Sequence, residues 1–227
     1  MIPFPWPQEN EVHIHRAVLG SETERYVSSN ERVRAEVLLD PYKKKRFLAG
    51  RGLLREILGG YLGIQPGEVH FTLGEHGKPY LSTTTVNKEQ LHFNLSHSGT
   101  MFLLAIAVDR NVGIDLEQLS SDIPYPDMAR IAFSPREQKE LFDLPHHLQL
   151  AAFYRCWTRK EAYLKACGSG FAIKSSSFDV SLLPGSPAVL IEPGKPPVWL
   201  LVDISVPETY CAALAVQGSM PIIRYID

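Results

Sequence analysis

Trp157-Thr158-Arg159-Lys160-Glu161-Ala162-Tyr163-Leu164-Lys165 reads as the middle of a helix. Phe153, Trp157, Glu161 and Leu164 recur at i, i+4, i+8 and i+11, which is one stripe of an α-helix. The pattern predicts a helix from about Leu148 to Cys167, closed by Gly168 and Gly170. That stripe should face the interior, yet it carries the carboxylate of Glu161. An unpaired buried charge is costly, so Glu161 needs a partner. Lys165, one turn on, supplies one, and an ordinary i,i+4 pair accounts for the helix equally well. Perturbed carboxylates also mark functional sites, so the helix alone leaves both readings open.

A second acidic pair lies upstream, in Val112-Gly113-Ile114-Asp115-Leu116-Glu117. Met101–Val108 before it reads as a buried strand, and Asp109-Arg110-Asn111 as a turn. On the alternating segment that follows, Asp115 and Glu117 share one strand face. Neighbouring carboxylates repel unless something positive sits between them. A hard divalent cation such as Mg2+ suits oxygen ligands of this kind. A salt-bridged strand edge is the plainer reading of Asp-x-Glu taken alone.

With 227 residues, the chain is long enough for one large or two small domains. It is 44% hydrophobic and 21% charged, as in ordinary globular proteins. A net charge of −2 gives no global basic field for nucleic acid. Cys156, Cys167 and Cys211 are an odd number without metal-ligand spacing, which fits a reducing compartment. The N-terminus has no basic segment before an apolar run, and no stretch is long enough for a membrane span. The expectation is a cytoplasmic enzyme without nucleic-acid or membrane partners.

Between these landmarks, Glu11–Val18 alternates as a strand, with His13 and His15 read as surface histidines rather than a metal pair. Pro41–Arg55 carries six bases (Lys43, Lys44, Lys45, Arg46, Arg51, Arg55) and no acid, just after Arg32 and Arg34. Leu54, Ile57, Leu58, Tyr61 and Leu62 mark the amphipathic helix that contains them. A solvated basic face explains any one lysine. The cluster, in a chain of negative net charge, points to an anion site, most naturally phosphate. A strand over Val69–Leu73 leads to Gly77-Lys78-Pro79, a turn where glycine permits close backbone approach and Lys78 is a mobile point charge. In Asn94-Leu95-Ser96-His97-Ser98, adjacent strand residues point to opposite faces, so Ser96 and His97 are not a nucleophile–base pair. No Gly-x-Ser-x-Gly elbow is present either. Leu119–Asp127 reads as a mobile linker, and Ser134-Pro135-Arg136-Glu137 as a capping box that starts a short helix. Five short strands then follow to Tyr225, read as an antiparallel meander.

Gly113-Ile-Asp115-Leu-Glu117, about forty residues, then Trp157-x-x-Lys160-Glu161-Ala162-x-x-Lys165 resembles the signature of the 4′-phosphopantetheinyl transferases, in the long, monomeric form. The resemblance implies an α+β fold of two similar α/β halves related by a pseudo-twofold axis, each a small antiparallel sheet packed with helices. It divides the chain into residues 1–111, which bind coenzyme A phosphates, and 112–227, which hold the metal and the catalytic groups. It implies Mg2+, or Mn2+ in its place, on Asp115, Glu117 and Glu161. It implies coenzyme A contacts from Arg34, Arg46, Arg51, Gly77, Lys78, Pro79, Ser96 and His97, together with Asp115, Glu161 and Lys165. Glu161 is the implied general base, and Lys165 and Asp115 complete the catalytic set. The implied reaction moves 4′-phosphopantetheine from coenzyme A to a serine of an apo acyl or peptidyl carrier protein and releases adenosine 3′,5′-bisphosphate. Carrier-binding surface is expected in 119–135, and a glycine-rich turn in Gly168-Ser-Gly170-Phe171. Some relatives have an acid where this chain has Leu116, which leaves a coordination place for water. Rival readings are a Mg2+-dependent phosphodiesterase, which lacks its expected lysine after Glu117, and a catalytically silent coenzyme A or carrier-binding protein.

Overall fold

A computed structural model describes residues 4–75, 77–82, 85–86, 89–168, 172–191 and 198–226. The expected turn through Gly170 and Phe171 lies outside them. Two sheets pack face to face, and each is covered on its outer side by a long helix. The larger sheet holds β1 (Glu11–Val18), β4 (Thr85–Val86), β5 (Glu89–Ser98), β6 (Met101–Val108) and β12 (Ile222–Ile226), in the order β12-β1-β6-β5-β4. The smaller holds β7 (Val112–Gln118), β10 (Trp199–Asp203) and β11 (Tyr210–Gln217), in the order β10-β11-β7. β2 (Phe71–Leu73) pairs with β3 (Pro79–Leu81), and β8 (Asp179–Val180) with β9 (Leu190–Ile191). The two long helices are α2 (Pro41–Leu62) and α5 (His146–Cys167); α1 (Ser29–Glu36), α3 (Tyr125–Ala132) and α4 (Pro135–Asp143) are short.

Strand alternation decides which side chains meet. On β6, Phe102, Leu104, Ile106 and Val108 face Leu54, Leu58 and Tyr61 of α2. Leu103, Ala105 and Ala107 face the other way, into the layer between the sheets. Both faces are buried, so β6 reads as an unbroken apolar run. On β7, Val112, Ile114 and Leu116 enter that same middle layer, which turns Gly113, Asp115 and Glu117 toward α5. α5 lies so close that a Cβ on Gly113 would sit 2.7 Å from Ala166 Cα, and closer still to the Ala162 carbonyl and the Ala166 nitrogen. Glycine permits this crossing. α2 and α5 are each 22 residues long and end on a left-handed glycine, Gly63 and Gly168, in keeping with two similar halves.

Four sequence expectations change. The interior face of α5 is not the Phe153–Trp157–Glu161–Leu164 stripe. It runs through Ala152, Cys156, Arg159, Lys160, Tyr163 and Ala166, while Trp157, Glu161 and Leu164 are half-buried beside a cleft. Periodicity passed over Arg159 and Lys160 because their counter-charges lie far away in sequence. Arg159 pairs with Asp203, and Lys160 donates to Glu137 at 2.8 Å and to the carbonyls of Ser175 and Phe178. Lys160 is therefore a buried structural cation rather than a solvated one. The 119–127 linker runs into α3, because Pro124 is its N-cap and Pro126 lies in its first turn, where proline is tolerated. Tyr154 pins the start of that linker, accepting from Ser120 N and donating to Ser120 O. The five strands do not form one meander: β8 and β9 make a separate hairpin, β10 and β11 join β7, and β12 crosses to pair in parallel with β1. Finally, His13 and His15 are buried, and both meet the Tyr61 hydroxyl, at 2.7 and 2.9 Å.

Candidate active site

Three cavities open along β5, and Leu95 lines all of them. The first, of about 700 Å³, is basic and is walled by Arg34, Arg51, Arg55, His70 and His97. The second, of about 380 Å³, is walled by Asp115, Glu117, Glu161 and Lys165 with Ser96 and His97. The third, of about 640 Å³, shares Trp157, Glu161 and Lys165 with the second and adds apolar Ile131, Leu164 and Ile173. His97 joins the basic and acidic arms, while Gly77, Pro79 and Asn94 join the basic and apolar arms. Gly77 has φ 80° there, a conformation that favours glycine.

In the acidic arm, Lys165 Nζ lies 2.6 Å from Asp115 Oδ1 and 3.1 Å from Ser96 Oγ. The expected i,i+4 partner of Glu161 thus reaches across to β7 instead. Asp115 is buried, and its Oδ2 has no hydrogen-bond partner among the described residues. Burial pushes the Glu161 carboxyl above the ordinary carboxylate range, the Asp115 charge pushes it further, and Lys165 opposes both. Glu117 is raised by the same two causes, burial and then Asp115, while a hydrogen bond from Ser98 Oγ at 3.0 Å pulls it back. Two carboxyls held above their ordinary range beside Asp115, whose Oδ2 is orphaned, form a cluster that suits a cation between them. Among the described residues, no three such groups already stand at coordinating positions.

In the basic arm, Arg51 and Arg55 both donate to Glu31, at 2.6 and 2.8 Å. Arg55 is buried rather than on the helix surface, and Arg51 remains on the cavity wall with its guanidinium over Phe71. Glu31 closes a capping box with Ser28 at the start of α1, so α1 fixes the fork that aims both arginines. Arg34 lines the same cavity, 5.9 Å over Phe47. Arg46 contacts His97 Nδ1 at 2.9 Å. A guanidinium cannot accept, so Nδ1 accepts and the proton sits on Nε2. Burial, then Arg46 and Lys165, hold His97 below the ordinary imidazole range, which leaves a neutral ring with one N–H to offer.

Lys78 is not mobile. Its ammonium donates to the carbonyls of Val112, Lys165 and Ala166 at 3.2, 2.8 and 3.1 Å, and burial lowers its pKa to about 8. It caps the C-terminal end of α5, where cations are favoured. Its neighbours Gly77 and Pro79 line two of the cavities. The site therefore draws Asp115, Glu117, Glu161, Lys165, Ser96 and His97 around one arm, and Arg34, Arg51 and His97 around another. Arg46 and Lys78 act on protein groups. Sequence reading passed over Glu31, although Ser28-x-x-Glu31 is a visible capping box. It also passed over Ser98, two residues beyond Ser96 and therefore on the same face.

The sequence pattern of the 4′-phosphopantetheinyl transferase superfamily matches residues 111–215, and that of the 4′-phosphopantetheinyl transferase N-terminal region matches residues 21–109. The 4′-phosphopantetheinyl transferase HetI of Nostoc sp. is 41% identical over 216 residues, covering 92% of this chain and 89% of its own. A 4′-phosphopantetheinyl transferase of Bacillus subtilis is 30% identical over 174 residues, covering 75% of each. The 4′-phosphopantetheinyl transferase AcpT of Salmonella typhi is 38% identical over 147 residues, covering 65% of this chain and 70% of its own. With matches across both halves and a cleft that joins them, the chain belongs to the 4′-phosphopantetheinyl transferase family.

Proposed function

We propose that this protein transfers the 4′-phosphopantetheine of coenzyme A to a serine hydroxyl of an apo acyl or peptidyl carrier protein, releasing adenosine 3′,5′-bisphosphate. The observation that carries this reading is the junction at His97 and Leu95 of a basic cavity with a cluster of three carboxylates and a lysine. One molecule bearing a terminal phosphate and a pyrophosphate suits both arms. Residues 1–111 supply the basic arm and 112–227 the acids. The serine oxygen attacks the β-phosphorus, the bond from phosphorus to the bridging oxygen breaks, and the bisphosphate leaves with that bond's electrons.

Arg34 and Arg51 hold the 3′-phosphate, with His97 Nε2–H as a neutral donor beside them. Lys165 offsets charge on the leaving phosphate. Glu161, raised by burial and by Asp115, accepts the serine proton from an ionised form more basic than a surface carboxylate. Asp115 Oδ2, Glu117 and Glu161 would hold Mg2+, or Mn2+ in its place. The ion supplies neutralisation of the pyrophosphate and orients it. The apolar arm along Trp157, Leu164 and Ile173 suits the uncharged pantetheine chain or the incoming carrier. Among the described residues, no helix is long and apolar enough to cross a membrane. An odd number of cysteines without metal-ligand spacing supports the cytoplasm as the working compartment, and the enzyme works as a monomer whose two halves form the site.

Asp115→Ala and Glu161→Ala should each abolish transfer while leaving the circular dichroism spectrum unchanged. A folded Glu161→Ala enzyme with parental turnover would overturn the assignment of base and metal.

A further inference from the structure

Among the described residues, β7 pairs with another strand along one edge only, through the ladder with β11. Its other edge runs past β5, and among the described residues no main-chain pairing joins the two. Side chains of the N-terminal half take its place, at every second residue. Lys78 Nζ donates to Val112 O at 3.2 Å, and Ile114 N donates to Asn94 Oδ1 at 2.8 Å. Leu116 N donates to Ser96 Oγ at 3.2 Å, and Gln118 N to Ser98 Oγ at 3.0 Å. The period of two on both strands makes this a zipper, with 94, 96 and 98 matched to 114, 116 and 118.

The hydroxyls of this zipper also reach the catalytic carboxylates. Ser96 Oγ lies 3.2 Å from Asp115 Oδ1, and Ser98 Oγ lies 3.0 Å from Glu117 Oε2. Main-chain pairing would draw the strands to about 4.8 Å and close the cleft between them. An open edge would instead leave amides without partners. Side-chain rungs satisfy the amides and keep the strands further apart.

We propose that Asn94 and Ser98 are positioning residues: they are the rungs of a side-chain spacer that sets where the carboxylates of β7 stand relative to the basic cavity, and so their alignment on the reacting pyrophosphate of a molecule that the basic cavity already holds. This rests on the transferase reading. Ser98 acts through Glu117, and Asn94 through the main chain of β7 next to Asp115.

The test compares the parent, Ser98→Ala, Ser98→Thr and Asn94→Ala, using an apo carrier protein, coenzyme A and Mg2+. Coenzyme A affinity is measured by calorimetry, and the folded fraction by denaturant titration. Ser98→Ala should lower kcat per folded molecule by about tenfold, the scale seen when a partner that orients a ligand is removed. Its coenzyme A Kd should stay within about threefold of the parent, and Ser98→Thr, which keeps the hydroxyl, should restore kcat to within about threefold. Asn94→Ala should behave as Ser98→Ala does; if it fails to fold, the Ser98 pair decides alone. The spacer is refuted if Ser98→Ala keeps the parental kcat per folded molecule, if threonine fails to restore it, or if affinity falls in step with kcat. A parent that modifies no carrier refutes the transferase reading instead. Amide exchange then decides the spacer, since unchanged protection of Gln118 in Ser98→Ala contradicts it.

Discussion

Gly113→Ala should damage both stability and activity, although it adds only one methyl group. The new Cβ would meet Ala162 O, Ala166 N and Ala166 Cα, all backbone atoms of α5, the last at 2.7 Å. No rotamer change relieves a clash with helix backbone. Ordinary carbon contacts lie at about 3.5–4.0 Å, so α5 must lift from β7 by roughly 1 Å. Overpacking of this kind costs about 3 kcal/mol, which for a chain of this length lowers Tm by about 6–12 °C. The same movement carries Lys165 away from Asp115 Oδ1, 2.6 Å away in the parent. A separation increased by roughly 1 Å is no longer a hydrogen bond, so turnover should fall at least about tenfold in molecules that remain folded. Calorimetric melting and a carrier-modification assay on one preparation read both effects. A variant with Tm within about 2 °C of the parent and full turnover would refute the close crossing of α5 over β7.

Other buried charges make separate predictions. Lys160 and Glu137 form a pair with side chains 2% and 1% exposed, so Lys160→Met should destabilise by about 3–5 kcal/mol in urea titration. Turnover per folded molecule should not change, whereas unchanged stability would contradict the buried pair. His15, held neutral by burial with a pKa of about 4, should make the fold sensitive to acid. Its pKa is depressed below the unfolded value of about 6.5, so the fold loses stability as pH drops from 6.5 toward 4, by roughly 2 kcal/mol between pH 7 and pH 5. His15→Gln should flatten that part of the stability curve relative to the parent, and an unchanged slope would contradict the assignment.

The motif-bearing parts of this fold were legible because their physics is local. Alternation alone put Asp115 and Glu117 on one face of β7, and Gly168 ends its helix through its own backbone conformation. Ser134 caps α4 as its sequence predicts. Features that depend on distant partners were not legible. The buried face of α5 includes Arg159 and Lys160, which periodicity cannot distinguish from surface residues until Asp203 and Glu137 are brought beside them. Lys78 looked like a phosphate-binding charge because nothing local shows that three carbonyls from β7 and α5 converge on it. Arg46 looked like another, but in the fold it orients His97. α3 was hidden by two prolines that break a helix interior yet are tolerated at the N-cap and in a first turn. In the site, residue types and spacing singled out the acids and Lys165, which the fold brings to one cavity. The cross-strand route of Lys165 to Asp115, rather than along α5 to Glu161, required the fold.

The most direct test is intact-protein mass spectrometry of an apo acyl or peptidyl carrier protein incubated with this protein, coenzyme A and Mg2+, beside a parallel sample containing EDTA. The account predicts that the carrier gains the mass of one phosphopantetheine and that EDTA prevents the gain. A panel of apo carriers that all keep their mass, with coenzyme A shown to bind, would contradict transfer, and a gain that survives EDTA would contradict the metal on Asp115, Glu117 and Glu161.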